Sequence, residues 1–287
     1  MEPLIRNIAD TALWVAIYRA DESERPDAVF KDPYARLLAG ERGKHIVDAM
    51  VDGRRNSWSF IARTYLFDEY IMHHVHQGYD MIINLACGLD TRPYRLSLPS
   101  TTIWVDVDLK EMVTYMQTMM ANEKPNCIHE RLSLDLSDRQ ARVKLFHELG
   151  SRGKKILVVA EGLIGYLDEV DAGALAYDLS HIRSFGHWVI DFMSPGILPL
   201  IRQEMGILLD EAKSPLVFAP DDGEDFFALF GWKSVESRSK LNTAYTLKRL
   251  SADMITYAAL PEPIGPKGKF PWSGVCLFEN MVSRPLP

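Results

Sequence analysis

The pattern of apolar and polar positions changes character near residue 78. Before it, apolar residues recur at helical spacing in T-A-L-W-V-A-I-Y-R-A after Asp10 and in Y-A-R-L-L-A after Asp32-Pro33. They do so again in a longer run over 58–77 that stops at Gly78. Asp10 is placed to cap the first run, and Asp-Pro suits the start of the second, because proline has no N–H for the first turn to strand. Residues 46–50 predict another short turn of helix. After Gly78, apolar runs of strand length at 81–85, 102–107, 127–132, 156–160 and 188–192 alternate with helical stretches at 110–122, 138–149, 169–182 and 198–212. Two further strand candidates follow, at 233–237 and 275–282. Strand and helix in this rhythm predict an α/β protein: a doubly wound, mostly parallel sheet of seven strands with helices on both faces and right-handed connections. The division expected is a helical cap over 1–77, a binding core over 78–193, a lid over 194–230 inserted after the fifth strand, and C-terminal strands and helix over 231–287, together one domain of 287 residues.

Composition narrows the class. Apolar residues make up 47% and charged residues 25%, and the formal net charge is −7 without a basic run, so neither a nucleic-acid groove nor an anionic membrane surface is expected as partner. No apolar stretch approaches the ~18 residues of a membrane span. The N-terminal M-E-P-L-I-R-N-I-A-D lacks the apolar core of a signal peptide. Cys87, Cys127 and Cys276 are far apart and suggest reduced thiols in a cytoplasmic protein.

In sheets of this kind, ligands sit at the carboxyl ends of the strands. The first tip reads L-A-C-G-L-D. Gly88 lets backbone pass close to a ligand, but the three-glycine spacing of a dinucleotide loop is absent, and Asp90 would repel a pyrophosphate. That disfavours a nicotinamide-dependent oxidoreductase. The second tip, W-V-D-V-D, offers Asp106 and Asp108 on one side of the strand; Asp108 lies at the spacing from Gly88 where a ribose diol is held, or else caps the next helix. The third, S-L-D-L-S-D, offers Asp135 to an exocyclic amine and Leu136 to a flat base, with Asp138 capping the following helix. The fourth, V-V-A-E-G-L-I-G-Y-L, places Glu161 against a buried strand, where a carboxylate needs a partner. Together these describe a ligand with an adenosine end, a positively charged amino end and no phosphates, which is S-adenosylmethionine.

The same stretches carry a family resemblance. N-L-A-C-G-L-D-T-R-P-Y-R-L resembles the glycine loop of the leucine carboxyl methyltransferase family of class I methyltransferases, most closely its bacterial branch with polyketide carboxyl O-methyltransferases of the tetracenomycin type. D-T-A-L-W-V-A-I-Y-R-A-D-E-S-E-R-P-D-A-V-F-K-D-P-Y-A, A-R-T-Y-L-F-D-E-Y, the later tips and D-D-G-E-D-F-F-A-L-F-G-W are similar to further motifs of that branch. The resemblance implies a Rossmann-like methyltransferase fold and an O-methyltransferase of secondary metabolism. It implies Arg63 at the methionine carboxylate, Gly88 and Asp90 at the amino group, and Asp106 or Asp108, with Asp108 preferred, at the ribose. It further implies Asp135 and Leu136 at the adenine and Glu161 at the amino end.

A carboxylate acceptor is ionised at neutral pH and needs no base, whereas a phenol, of pKa about 10, benefits from one. No base stands out. His73, His74 and His76 cluster near a helix end without a further ligand, so no metal is expected. His187 reads as structural, and His45, His129, His147 and His181 have no evident partner. A small-molecule carboxylic acid is therefore the expected acceptor, with a phenol or enol as alternative and a non-catalytic protein that only binds the cofactor as the competing class. Tyr18, Arg19 and Tyr166 are candidates to orient the acceptor; otherwise the tyrosines belong to the core and Arg19 pairs with Asp21 or Glu22. Phe226 and Phe227 are expected to pack beneath the lid.

Overall fold

The computed structural model describes residue 5 and residues 8–50, 54–211 and 214–282. Three helices open the chain: α1 (Ile8–Ser23), α2 (Ala35–Ala49) and α3 (Ser57–His76). Then follow β1 (Met81–Leu85), α4 (Arg92–Arg95), β2 (Ile103–Asp108), α5 (Lys110–Met119), β3 (Ile128–Ser133), α6 (Arg139–Gly150), β4 (Ile156–Ala160), α7 (Glu169–Ser180), β5 (Phe185–Met193) and α8 (Leu198–Glu211). β6 (Trp232–Ser239), α9 (Lys240–Thr246), α10 (Ala252–Ala258) and β7 (Ser273–Asn280) complete it. Two 3-10 turns, Ile164–Tyr166 and Gly223–Phe230, follow β4 and precede β6.

The seven strands form one sheet in the order β3-β2-β1-β4-β5-β7-β6. β1 to β5 pair in parallel, and β7 runs antiparallel to both β5 and β6. This is the expected seven-stranded, mostly parallel sheet. β1 and β4 are buried at every position, as strands covered on both faces must be. Alternation sorts their side chains. Ile83, Val105, Val158, Trp188 and Phe278 face the core closed by α6 and α7, where Phe226 and Phe227 also pack. Ile82, Trp104, Leu157 and Val189 face α3 through Leu66, Phe67 and Ile71. A third cluster joins α1 and α2 to α5 through Trp14, Ile17, Leu38 and Met116.

Several expectations are corrected. α1 begins at Ile8, so Asp10 lies inside the first turn, where it pairs with Arg42 at 2.9 Å and does not cap the run. The turn at 46–50 is the second half of α2, which bends at Gly40 because that glycine adopts φ +56°. β5 starts earlier than expected, at Phe185, and α5 ends sooner, at Met119. Gly78, at φ +80°, stops α3 as expected, and Asp138 caps α6 by accepting from the Ala141 N–H at 3.0 Å. The expected end of α8 at Ala212 lies outside the described residues. Among the described residues no helix is long and apolar enough to cross a membrane.

Candidate functional site

Four carboxylates and three guanidiniums meet at the carboxyl ends of β1, β4 and β5, beneath α3. Arg92 joins most of them. Its Nε donates to Asp68 Oδ1 at 2.6 Å, its Nη1 to Asp90 Oδ2 at 2.7 Å and its Nη2 to Glu161 Oε2 at 2.7 Å. Arg95 donates two further bonds of 2.7 Å to Asp68. Arg63, reaching down from α3, donates through Nε to Glu161 Oε1 at 2.9 Å and through Nη1 to Asp191 Oδ2 at 3.2 Å. Asp191 also accepts from the Gly162 N–H at 2.6 Å, which fixes the turn after β4. Forked, charge-assisted contacts of this kind hold a buried guanidinium in one orientation.

Glu161 sits between two arginines. Burial raises its carboxyl, but Arg92 and Arg63 outweigh burial and hold it down at about 2. A carboxyl whose folded pKa lies below its unfolded value of 4.5 stabilises the fold above that value and loses the contribution as pH falls toward about 2. A shift of this size corresponds to on the order of 3 kcal/mol. The stability gap between the natural protein and Glu161→Gln, measured by urea denaturation, is therefore expected to narrow as pH falls from about 5 to about 3. A gap that stays constant over that interval would refute the electrostatic pairing.

The glycine loop is held from below and above. Gly88, at φ +53°, donates its N–H to Asp108 Oδ2 at 2.7 Å, and Asp108 Oδ1 accepts from the Leu109 N–H at 2.7 Å. α5 starts one residue later, so Asp108 braces the loop and does not act as the helix cap. From above, Arg19 of α1 donates to the Leu89 carbonyl at 2.6 Å, and a Cβ added at Gly88 would meet only Ala12, at 3.5 Å. The loop thus leaves space beside Gly88 that a side chain would fill.

Asp106 and Asp90 are both turned inward. Asp106 accepts from Trp104 Nε1 at 2.7 Å and from Asn84 Nδ2 at 3.2 Å, and it contacts His129 Nε2 at 2.7 Å. It is 1% exposed and ties β1, β2 and β3 together. Asp90 accepts from the Arg92 N–H, Arg92 Nη1 and Asn84 Nδ2, so it staples the loop to the sheet. Burial pushes its carboxyl up, and Arg92 opposes that. The Cys87 thiol is pushed well up, first by burial and then by Asp106, Asp108 and Asp90, which leaves it a poor nucleophile. Asp135 is exposed past the end of β3 and accepts from the Ser137 N–H at 2.9 Å; Leu136 packs partly on the core and gives its carbonyl to Arg142 at 2.6 Å.

The three acceptor-orienting candidates separate. Arg19 pairs with Asp32 at 2.9 Å, and neither Asp21 nor Glu22 is its partner: Asp21 takes Arg36 and Arg54, and Glu22 takes Arg249. Tyr18 is buried against Phe60, with ring centroids 5.2 Å apart, and burial holds its hydroxyl up at about 12. Tyr166 is half-buried in the 3-10 turn after β4, beside Arg63. Reading along the chain misses Arg92, Asp68 and Asp191, although the pair Arg92 and Arg95 in R-P-Y-R and the lone acid in W-V-I-D-F were the signals.

The histidines stand apart. His74 gives Nδ1 to the Tyr70 carbonyl at 2.7 Å, and His187 Nδ1 bonds the Tyr79 hydroxyl. His129 and His181 do have partners, in Asp106 and the Tyr177 carbonyl. A cavity of about 680 Å³ lined by His73, His74 and His187 opens toward the start of β1 and β4, away from the guanidinium cluster. Among the described residues no group of three or more His, Cys, Asp or Glu side chains is placed to hold a metal.

Residues 12–179 match the model of the leucine carboxyl methyltransferase family. The chain belongs to that family. It is 30% identical over 219 residues to a Mycobacteroides abscessus protein provisionally named as an S-adenosyl-L-methionine-dependent methyltransferase, covering 71% of this chain and 66% of that one. A Frankia alni protein of the same provisional name is 34% identical over 178 residues, covering 58% of this chain and 61% of its own. Another Mycobacteroides abscessus relative is matched over 63% of its length. Among solved structures, a protein from Thermobifida fusca provisionally named a methyltransferase superposes with a TM-score of 0.58 at 14% identity, covering 96% of both chains. At that identity the likeness is one of fold alone, over nearly the whole chain.

Proposed function

We propose that the protein is an S-adenosylmethionine-dependent O-methyltransferase that esterifies the carboxylate of a small-molecule acid. A polyketide or aromatic acid fits the tetracenomycin-type branch that the N-terminal motif resembles. The family match and the naming of its relatives support the cofactor. The observation that carries the assignment is Arg63, a guanidinium fixed by Glu161 and Asp191 at the strand tips beside an open glycine loop. In this reading Arg63 pairs with the methionine carboxylate, and the Gly88 loop with Glu161 receives the amino end. Asp108 takes the ribose, since Asp106 is spent on the sheet, and Asp135 with Leu136 borders the adenine. Asp90 acts from beneath, by shaping the loop.

The cofactor, when bound, supplies a sulfonium-activated methyl group. The chain's part is to hold the acceptor in line with that methyl and to exclude water; positioning of this kind supplies much of the rate. A carboxylate acceptor arrives ionised, its free pKa being about 4, so no proton has to be removed. Of the three acceptor-orienting candidates, Tyr166 is the one at the rim of the cluster.

Titration calorimetry is expected to register S-adenosylmethionine and S-adenosylhomocysteine and not NADH. Turnover of aromatic acids is expected to give a methyl product that mild alkali removes. An alkali-stable methyl product would transfer the assignment to a phenol, and binding of NADH in place of the sulfur cofactors would overturn it.

A further inference from the structure

Lys240 is the first residue of α9, directly after β6 ends at Ser239, and is only 9% exposed. Ser239 pairs with Gly274 of β7, and the next residue of β7, Val275, pairs with Asp191 of β5. Lys240 therefore stands at the strand ends where Asp191 projects, on the β6–β7 side of it and away from the Gly88 loop. α9 packs on α3 through Ala244 against Trp58 and Ala62, next to Arg63. The ionised groups whose charge acts on Lys240 are Asp191, Arg63 and Glu161.

The acids of this cluster already have guanidinium partners: Asp68 has Arg92 and Arg95, Asp90 has Arg92, Glu161 has Arg92 and Arg63, and Asp191 has Arg63. Among the described residues the Lys240 ammonium makes no hydrogen bond and no ion pair within 4 Å. Burial penalises the ammonium even with Asp191 and Glu161 nearby, and an anionic partner brought by a ligand would offset that cost. Burial pushes the Lys240 ammonium down to about 8, with Asp191 opposing, so most of it is charged at neutral pH and an incoming anion would hold it so.

We infer that the Lys240 ammonium receives the acid group of the methyl acceptor, making it a positioning residue that selects carboxylates over neutral alcohols. This rests on the methyltransferase reading above. One carboxylate oxygen pairs with Nζ while a lone pair of the other forms the new O–C bond; the S–C bond breaks, its electron pair stays on sulfur, and no proton moves.

The test uses the natural protein. Acetylation of Lys240 by an amine-reactive acetyl ester is followed by mass spectrometry, with and without saturating S-adenosylhomocysteine, in the presence of acetate, benzoate or salicylate and of benzyl alcohol as neutral control. The expected result is severalfold protection by at least one acid, none by the alcohol, and weaker protection as pH rises past about 8. Equal labelling with and without the acids, or no labelling of Lys240 in the free protein, would overturn the inference. Protection by S-adenosylhomocysteine alone would assign the lysine to the cofactor and overturn it as well. Failure of S-adenosylhomocysteine to bind in calorimetry would instead defeat the methyltransferase reading, so the two failures are distinguishable.

Discussion

Arg92→Met is expected to lower stability by ~3–5 kcal/mol, the usual cost of removing one partner from a buried ion pair. Arg92 is 3% exposed and serves Asp68, Asp90 and Glu161 together. Its loss strands buried carboxylates that Arg63 and Arg95 serve only in part. For a chain of this size the corresponding fall in Tm is on the order of 10 °C. Arg92→Lys keeps the charge and loses the fork that reaches three acids at once, so it is expected to fall between the natural protein and the methionine variant. Scanning calorimetry of the three proteins decides the matter, and a Tm within a degree or two of the natural value for Arg92→Met would mean that the cluster is held by packing alone.

Gly88→Arg is expected to abolish S-adenosylmethionine binding in a protein that still folds. The residue takes φ +53°, which costs a side-chain-bearing residue roughly 1–2 kcal/mol, well within the margin of a stable domain. A Cβ there would meet only Ala12 of α1, at 3.5 Å, and the long charged side chain beyond it is expected to occupy the space that the loop leaves open. Calorimetry with S-adenosylhomocysteine reads the effect, while circular dichroism checks the fold. An affinity equal to that of the natural protein would remove the loop from the binding site.

The sheet was legible because buried parallel strands leave a local mark: five or six apolar residues between turn signals, as in M-I-I-N-L and I-L-V-V-A. The strand tips were legible too, since a residue that interrupts such a run is conspicuous, and Gly88, Asp108, Arg63 and Glu161 converge at one end of the sheet. The pairings were not legible. Arg92 meets Asp68 across 24 residues and Glu161 across 69, and Arg63 meets Asp191 across 128; no local spacing encodes contacts of that range. Asp106 and Asp108 share one side of β2 and look alike in the sequence, yet burial beside Trp104 and His129 separates them. Lys240 reads as one charged residue in S-R-S-K-L-N, and only the packing of α9 on α3 makes it unusual.

The inward carboxylate of Asp106 bears on how the chain assembles. Asn84, Asp106 and Arg131 occupy one row across β1, β2 and β3, with Ile82, Trp104 and His129 in a row two residues earlier along each strand. If β2 slid by one residue, Asp106 would enter the layer of Ile83, Val158 and Phe146, beside Glu130 of β3, and Val105 and Val107 would confront Asn84 and His129. Mispaired intermediates of slow-forming parallel sheets therefore carry an electrostatic penalty that the native alignment lacks, and this single aspartate acts as a proofreader of strand alignment.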